Sequence, residues 1–233
     1  MSKSFFIAGT DTDVGKTFVA AALLNAAKQK KLSTLGLKPV AAGCEKTDEG
    51  LRNGDALSLM TESTVKASYD VVNPIAFEEP IAPHIAAAKE GRRMQSGRLE
   101  GFIRGAMMSN KADFTLVEGA GGWRVPISER ETLAEVTKHL KLPVILVVGM
   151  RLGCLNHALL TAEAIQRDGL PLVGWVANHI DPDMSCPEEN FQTLQRMIPA
   201  PCLGAIPALS EHDGTNLAEI AAKSLDITPL LQG

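Results

Sequence analysis

Gly9-Thr10-Asp11-Thr12-Asp13-Val14-Gly15-Lys16-Thr17 brings glycines, a lysine and a hydroxyl together between a short apolar run, Phe5–Ala8, and a helix-length pattern. In that setting successive backbone N–H groups form a nest at a helix amino terminus, where the helix dipole favours anions. Lys16 adds a point charge suited to β- and γ-phosphates, and the Thr17 hydroxyl can ligate Mg²⁺. The spacing departs from the general phosphate-loop pattern: Gly9 and Gly15 enclose five residues, and Thr10 stands at the usual first-glycine position. The G-x-G-x-x-G pattern of a dinucleotide site is missing here.

Two carboxylates and a second lysine fall at positions that could complete such a site. Glu118 ends the strand-like run Thr115–Val117 and precedes Gly119-Ala120-Gly121-Gly122. Ligands bind at the carboxyl ends of parallel strands, so Glu118 should face the same crevice as the loop. Asp55 follows Asn53-Gly54 and opens a short helix; it reads either as a Mg²⁺ ligand or as an N-cap. Lys38 ends the second strand directly before Pro39, pointing into the crevice or standing as a solvated strand-end charge. Beside Lys16, it would stabilise a transferring phosphoryl group or an anionic nucleophile.

The elements that must position these groups alternate between strand and helix. Strands are expected at 5–8, 34–40, 115–117, 144–148, 172–177 and 202–206, and helices at 16–30, 55–61, 94–108, 133–140, 156–166, 191–197 and 216–225. Val144–Val148 is apolar without alternation, as in a parallel strand buried on both faces. The pattern predicts an α/β fold, with one mostly parallel twisted sheet flanked by helices in a single domain over residues 1–233. Residues 65–93, with Pro74, Pro80 and Pro83, read as an irregular functional loop region.

Composition narrows the function classes. Of 233 residues 45% are hydrophobic, which supplies a core and argues against disorder. The net charge of -4 disfavours nucleic acid as a partner. No run reaches the ~18 apolar residues of a membrane span, and the amino terminus does not read as a signal peptide. Cys44, Cys154, Cys186 and Cys202 show no zinc spacing and are expected as free thiols in the cytoplasm.

Taken together, several motifs are familiar in this order: Gly9–Thr17, Gly36-Leu-Lys-Pro-Val40, Gly50-Leu-Arg-Asn-Gly-Asp-Ala56, Val117-Glu-Gly-Ala-Gly-Gly-Trp123, Leu142–Gly149, Leu152-Gly-Cys-Leu-Asn-His157, Gly174-Trp-Val-Ala-Asn178 and Met197–Pro201. They closely resemble the dethiobiotin synthetase family, whose own phosphate loop is elongated in this way. The resemblance implies a phosphate-loop NTPase-like fold and an ATP- and Mg²⁺-dependent ligase of biotin biosynthesis. Its substrates would be 7,8-diaminononanoate, CO₂ and ATP, and its assembly a homodimer.

Carried over by position, the resemblance implies that Lys16, Lys38 and Thr12 act in catalysis. Thr17, Asp55 and Glu118 would hold Mg²⁺. Asp13, Val14, Gly15, Lys16, Thr17 and Phe18, with Gly119, Ala120 and Gly121, would contact ATP. Asn178 would read the adenine, with His179, Pro207, Ala208 and Leu209 beside it. Thr12, Lys38, Ala42, Leu152, Gly153 and Cys154 would contact the diamine substrate, the last three at a helix start suited to its carboxylate. Ala42 stands where the family commonly has serine, which implies weaker substrate affinity and not lost activity. His84 would line the substrate loop or be an ordinary surface histidine. No role is carried to Asn190, where the family often has an aromatic reaching the neighbouring subunit's substrate.

Two other readings use the same fold: a nucleotide-switch or partitioning ATPase, and a paralogue acting on another diamine. The switch ATPases that dimerise across nucleotide usually carry a lysine early in the loop; here the stretch Asp11–Val14 has none. Lys38 and a strand-end glutamate favour the ligase, while Ala42 leaves the paralogue open.

Overall fold

A computed structural model describes residues 2–209 and 216–232. The chain opens with β1 (Lys3–Gly9), α1 (Lys16–Gln29), β2 (Thr34–Leu37) and β3 (Val40–Ala41). The hairpin β4 (Glu45–Thr47) and β5 (Gly50–Arg52) leads to α2 (Gly54–Glu62), α3 (Tyr69–Val72), β6 (Ile75–Ala76), α4 (Pro83–Lys89) and α5 (Ser96–Ser109). β7 (Phe114–Glu118), α6 (Leu133–Leu140), β8 (Val144–Met150), α7 (Cys154–Arg167) and β9 (Leu172–His179) follow. The last described elements are α8 (Pro187–Met197), β10 (Cys202–Ile206), α9 (Leu217–Ala222) and α10 (Thr228–Leu231).

Six strands form one sheet in the order β10-β9-β8-β1-β7-β2, and every pairing in it is parallel. The central strand β8 shows why its sequence lacks alternation. Val144, Leu146 and Val148 pack into the core on one face, with Leu99 and Ile103 of α5, Val136 of α6 and Ile165 of α7. Ile145 and Val147 pack into the other, with Leu23 and Leu24 of α1 and Ala221 of α9. Both faces of the strand are buried, so both must be apolar. The expected α/β architecture is therefore what the chain adopts.

Several expectations are corrected. The strand expected over 34–40 stops at Leu37, because Pro39 lacks the N–H that would continue the ladder. Val40 and Ala41 instead pair with Ile75 and Ala76 in a separate two-stranded piece. Residues 65–93 are not irregular throughout, since they hold α3, β6 and α4. The helix expected from Phe191 starts at Pro187, a residue suited to the first helical turn. The helix expected from Asn156 starts at Cys154, after Gly153 at φ 93. The last expected helix ends at Ala222, and Asn216 caps its amino end by accepting from the Glu219 N–H. Among the described residues no helix is long and apolar enough to cross a membrane.

Candidate active site

The loop between β1 and α1 owes its shape to two residues with left-handed backbone, Asp13 at φ 57 and Gly15 at φ 79. Gly15 needs to be glycine twice over. Left-handed backbone is open to it without penalty, and a Cβ there would lie 2.2 Å from Asn178 Nδ2. That same Nδ2 donates to the Val14 carbonyl at 3.0 Å, so Asn178, buried at the end of β9, braces the loop from beneath. Lys16 Nζ donates to the Asp11 carbonyl at 2.8 Å. Asp11 accepts from the Thr12 N–H at 2.8 Å and pairs with Arg151 at 2.6 Å.

The carboxyl ends of β2 and β7 bring the other groups in. Lys38 Nζ lies 2.5 Å from Glu118 Oε1 and 2.7 Å from Asp55 Oδ2, and Thr17 Oγ1 donates to Glu118 Oε1 at 2.7 Å. Lys38 and Glu118 are 4% and 1% exposed, so this is a buried charge cluster and not a solvated strand end. Asp55 is not the N-cap of α2. Asn53 fills that place, its side chain accepting from the Ala56 N–H, and this frees the Asp55 carboxylate in the first turn to reach Lys38.

Burial favours neutral Lys16, and although Glu118 opposes this the ammonium is held below its ordinary pKa. Burial works the same way on Lys38, but Glu118 and Asp55 outweigh it and raise the value. Burial would raise Asp55, yet Lys38 holds its carboxyl below the usual range.

These groups line a cleft of about 860 Å³. Thr12, Asp13, Gly15, Lys16, Thr17, Phe18, Lys38, Ala42, Asp55, Glu118, Ala120 and Gly121 all face it. Val14 is buried and does not. Gly119 does not line it either; its role is close packing, since a Cβ there would meet the Phe6 ring at 2.8 Å. One wall is apolar, made of Val40, Ala41, Ile81, Pro83, Val125 and Pro126.

A second cleft of about 440 Å³ opens beyond β9 and β10 and is lined by His179, Pro207 and Ala208. Leu209 packs against the core instead. Leu152, Gly153 and Cys154 line neither cleft: Leu152 is 95% exposed, and Cys154 is buried at the start of α7. They follow β8, which lies across β1 from the strands carrying Lys38 and Glu118. His84 is half-buried, lines neither cleft, and keeps a buried Nδ1 without a partner. Asn190 is half-buried on α8, where it donates to the Cys186 carbonyl.

Sequence reasoning missed several contributors. Arg124 lines the main cleft, held by an ion pair with Asp168 at 2.7 Å, and Trp123 Nε1 donates to the same carboxylate at 2.8 Å. The dipeptide follows a glycine-rich turn at a strand end, which was the signal available. The brace from Asn178 to the loop, and the pair between Asp11 and Arg151, join residues 164 and 140 positions apart and leave no local trace.

The comparisons with known proteins decide the family. A model for a family described as an AAA domain matches residues 3–216. The ATP-dependent dethiobiotin synthetase BioD of Cellvibrio japonicus is 61% identical, over 98% of each chain. The chain belongs to the dethiobiotin synthetase family. The protein of the same name from Marinobacter nauticus is 52% identical over 98% of each chain. Among solved structures, the septum site-determining protein MinD of Pyrococcus horikoshii matches with TM-score 0.57 at 16% identity, covering 95% of this chain and 93% of that one. A ParA family ATPase from Chlorobium tepidum matches with TM-score 0.54 at 15% identity, covering 96% and 90%. At those identities the likeness is one of fold, which the dethiobiotin synthetases share with ATPases of other output.

Proposed function

We propose that this chain uses ATP to join CO₂ to the two amines of 7,8-diaminononanoate, giving the cyclic urea dethiobiotin, ADP and phosphate. The observation that carries the reading is the cluster of Lys38, Thr17, Asp55 and Glu118 beside a phosphate-binding loop, in a cleft with one apolar wall.

One amine takes up CO₂ and becomes a carbamate. A carbamate oxygen attacks the γ-phosphorus of ATP, the bond to the β-phosphate oxygen breaks, and ADP leaves. The second amine then attacks the carbamate carbon, its C–N bond forms as the C–O bond breaks, and inorganic phosphate departs. No protein nucleophile is required; the chain must position anionic partners and neutralise their charge.

Lys16 meets the phosphates at the helix start, where the loop's N–H groups cradle them. Lys38 and Thr12 hold the carbamate, and the wall of Val40, Ala41, Ile81 and Val125 takes the methylene chain. The second cleft, with His179 and Pro207, takes the base. Thr17, Asp55 and Glu118 would hold Mg²⁺, a hard cation that suits one hydroxyl and two carboxylates. Glu118 Oε2 supports this fit: it is buried and has no hydrogen-bond partner, as an oxygen reserved for a cation would be. When bound, the ion would neutralise charge on the β- and γ-phosphates.

A homodimer is part of the proposal. Leu152, almost fully exposed next to the start of α7, suits cover by a second copy. A cytoplasmic setting suits four free thiols. The deciding experiment supplies ATP, Mg²⁺, bicarbonate and 7,8-diaminononanoate and follows ADP and product mass. A diamine-dependent product of dethiobiotin mass is expected. ATP turnover indifferent to the diamine would overturn the reading.

A further inference from the structure

Both main-chain polar groups of Lys38 are held by residues from the far end of α3. Its N–H donates to the Val72 carbonyl at 2.9 Å, and its carbonyl accepts from Asn73 Nδ2 at 2.6 Å. Asn73 is itself fixed, because its Oδ1 accepts from the Tyr69 hydroxyl at 2.9 Å. The same hydroxyl accepts from the Asn53 N–H at 2.7 Å. Asn53 caps α2 and so sets the turn that carries Asp55.

One buried hydrogen-bonded path therefore runs from the Lys38 backbone through Asn73 and Tyr69 to the cap of the Asp55 helix. Asn53, Tyr69 and Asn73 are 7%, 9% and 3% exposed. None of the three ends in a charged group at the cleft, and Tyr69 and Asn73 do not line it. Apart from a longer bond from Asn73 Nδ2 to the Ile75 carbonyl at 3.3 Å, their hydrogen bonds serve the two backbone segments that deliver Lys38 and Asp55 to within 2.7 Å of each other. The Arg52 guanidinium stacks 4.3 Å over the Tyr69 ring and closes the outer side.

We infer that Tyr69 and Asn73 are positioning residues of the carbamate site, a clamp that sets where the Lys38 ammonium stands relative to Asp55. The inference rests on the proposed reaction. A lysine on a flexible four-carbon stem holds a transient anion well only if its backbone is fixed. Burial pushes the Tyr69 phenol above its ordinary pKa, so the hydroxyl keeps the proton it donates to Asn73. The clamp acts on Lys38 and Asp55, whereas the loop amides and Lys16 that grip ATP are held separately through Asn178 and Asp11.

The test is Tyr69→Phe, which keeps the ring and deletes the shared hydroxyl. Both kcat and kcat/KM for the diamine should fall together by about tenfold or more, the sign of stabilisation that is specific to the transition state. ATP affinity, read by calorimetric titration, should stay within about twofold. Asn73→Asp keeps the acceptor for Tyr69 but loses the donor to Lys38, and should lose a similar fraction of turnover.

Ile165→Ala serves as the comparison, because it truncates a fully buried side chain of α7 away from the cleft. It should lower the unfolding temperature and leave kcat within about twofold. A Tyr69→Phe enzyme with wild-type kcat would overturn the clamp, as would a loss no larger than that of Ile165→Ala at the same unfolding temperature. A wild-type enzyme that forms no product from the diamine would instead overturn the reaction, so the two failures are told apart.

Discussion

Lys38 and Glu118 are neighbours by strand register. Leu37 pairs with Val117 in the parallel ladder of β2 and β7, so Lys38, just past β2, and Glu118, the last residue of β7, stand side by side, and their charged ends meet at 2.5 Å. Both are buried; Lys38 keeps Asp55 as a second partner, but removing Lys38 strands the Glu118 charge in a poorly solvated place.

Lys38→Gln should therefore cost stability as well as turnover. Breaking a buried pair destabilises by about 3–5 kcal/mol, and denaturant unfolding reads this directly. Turnover and kcat/KM for the diamine should fall together, with ATP affinity little changed. An ATP affinity loss of about tenfold, or ~1.4 kcal/mol, would mean that Lys38 serves the γ-phosphate instead of the carbamate.

Glu118→Gln keeps the shape and removes the charge. Glu118 carries a buried oxygen with no partner, so a cation is the group that should notice the change. The Mg²⁺ concentration that half-saturates activity should rise severalfold, while the diamine KM moves less. An unchanged Mg²⁺ titration would leave Glu118 as the structural counter-ion of Lys38 alone.

Gly15→Ala tests the loop. The new Cβ would meet Asn178 Nδ2 in a backbone conformation that alanine resists, so either the loop shifts or the Asn178 brace lets go. Both outcomes spoil the nest. ATP affinity should fall by more than about tenfold, a loss of ~1.4 kcal/mol or greater, by calorimetry. Unchanged binding would show that the loop's shape is not what grips the phosphates.

Glu62 offers a pH test far from the cleft. Its buried carboxylate accepts from Asn25 and Lys28 on α1 and from Asn216 before α9. Burial alone would raise its pKa, but the bonds to Lys28, Asn216 and Asn25 outweigh that and hold it below the ordinary 4.5. A depressed folded-state value means stability that is present above the unfolded pKa and lost as pH falls through the folded one. Glu62→Gln should cost about 1–3 kcal/mol at neutral pH and flatten the acid side of the stability profile below about pH 4.5. Equal slopes in the two proteins would rule out this contribution.

What the sequence determined by itself was whatever rests on local chemistry. The loop Gly9–Thr17, the strand-end positions of Lys38 and Glu118, and the doubly buried run Val144–Val148 were all readable, because a turn, a strand end and a period are properties of neighbouring residues. Tertiary structure decided the questions of partnership. Whether Asp55 capped its helix or reached another element depended on Asn53 taking the cap and Lys38 standing within 2.7 Å. Whether Lys38 was solvated depended on β7 lying beside β2, a pairing of strands 80 positions apart. The path through Tyr69 and Asn73 lay within residues read as an irregular loop. Its order comes from side chains bonding to the backbone of distant segments, which leaves no periodic mark on the sequence.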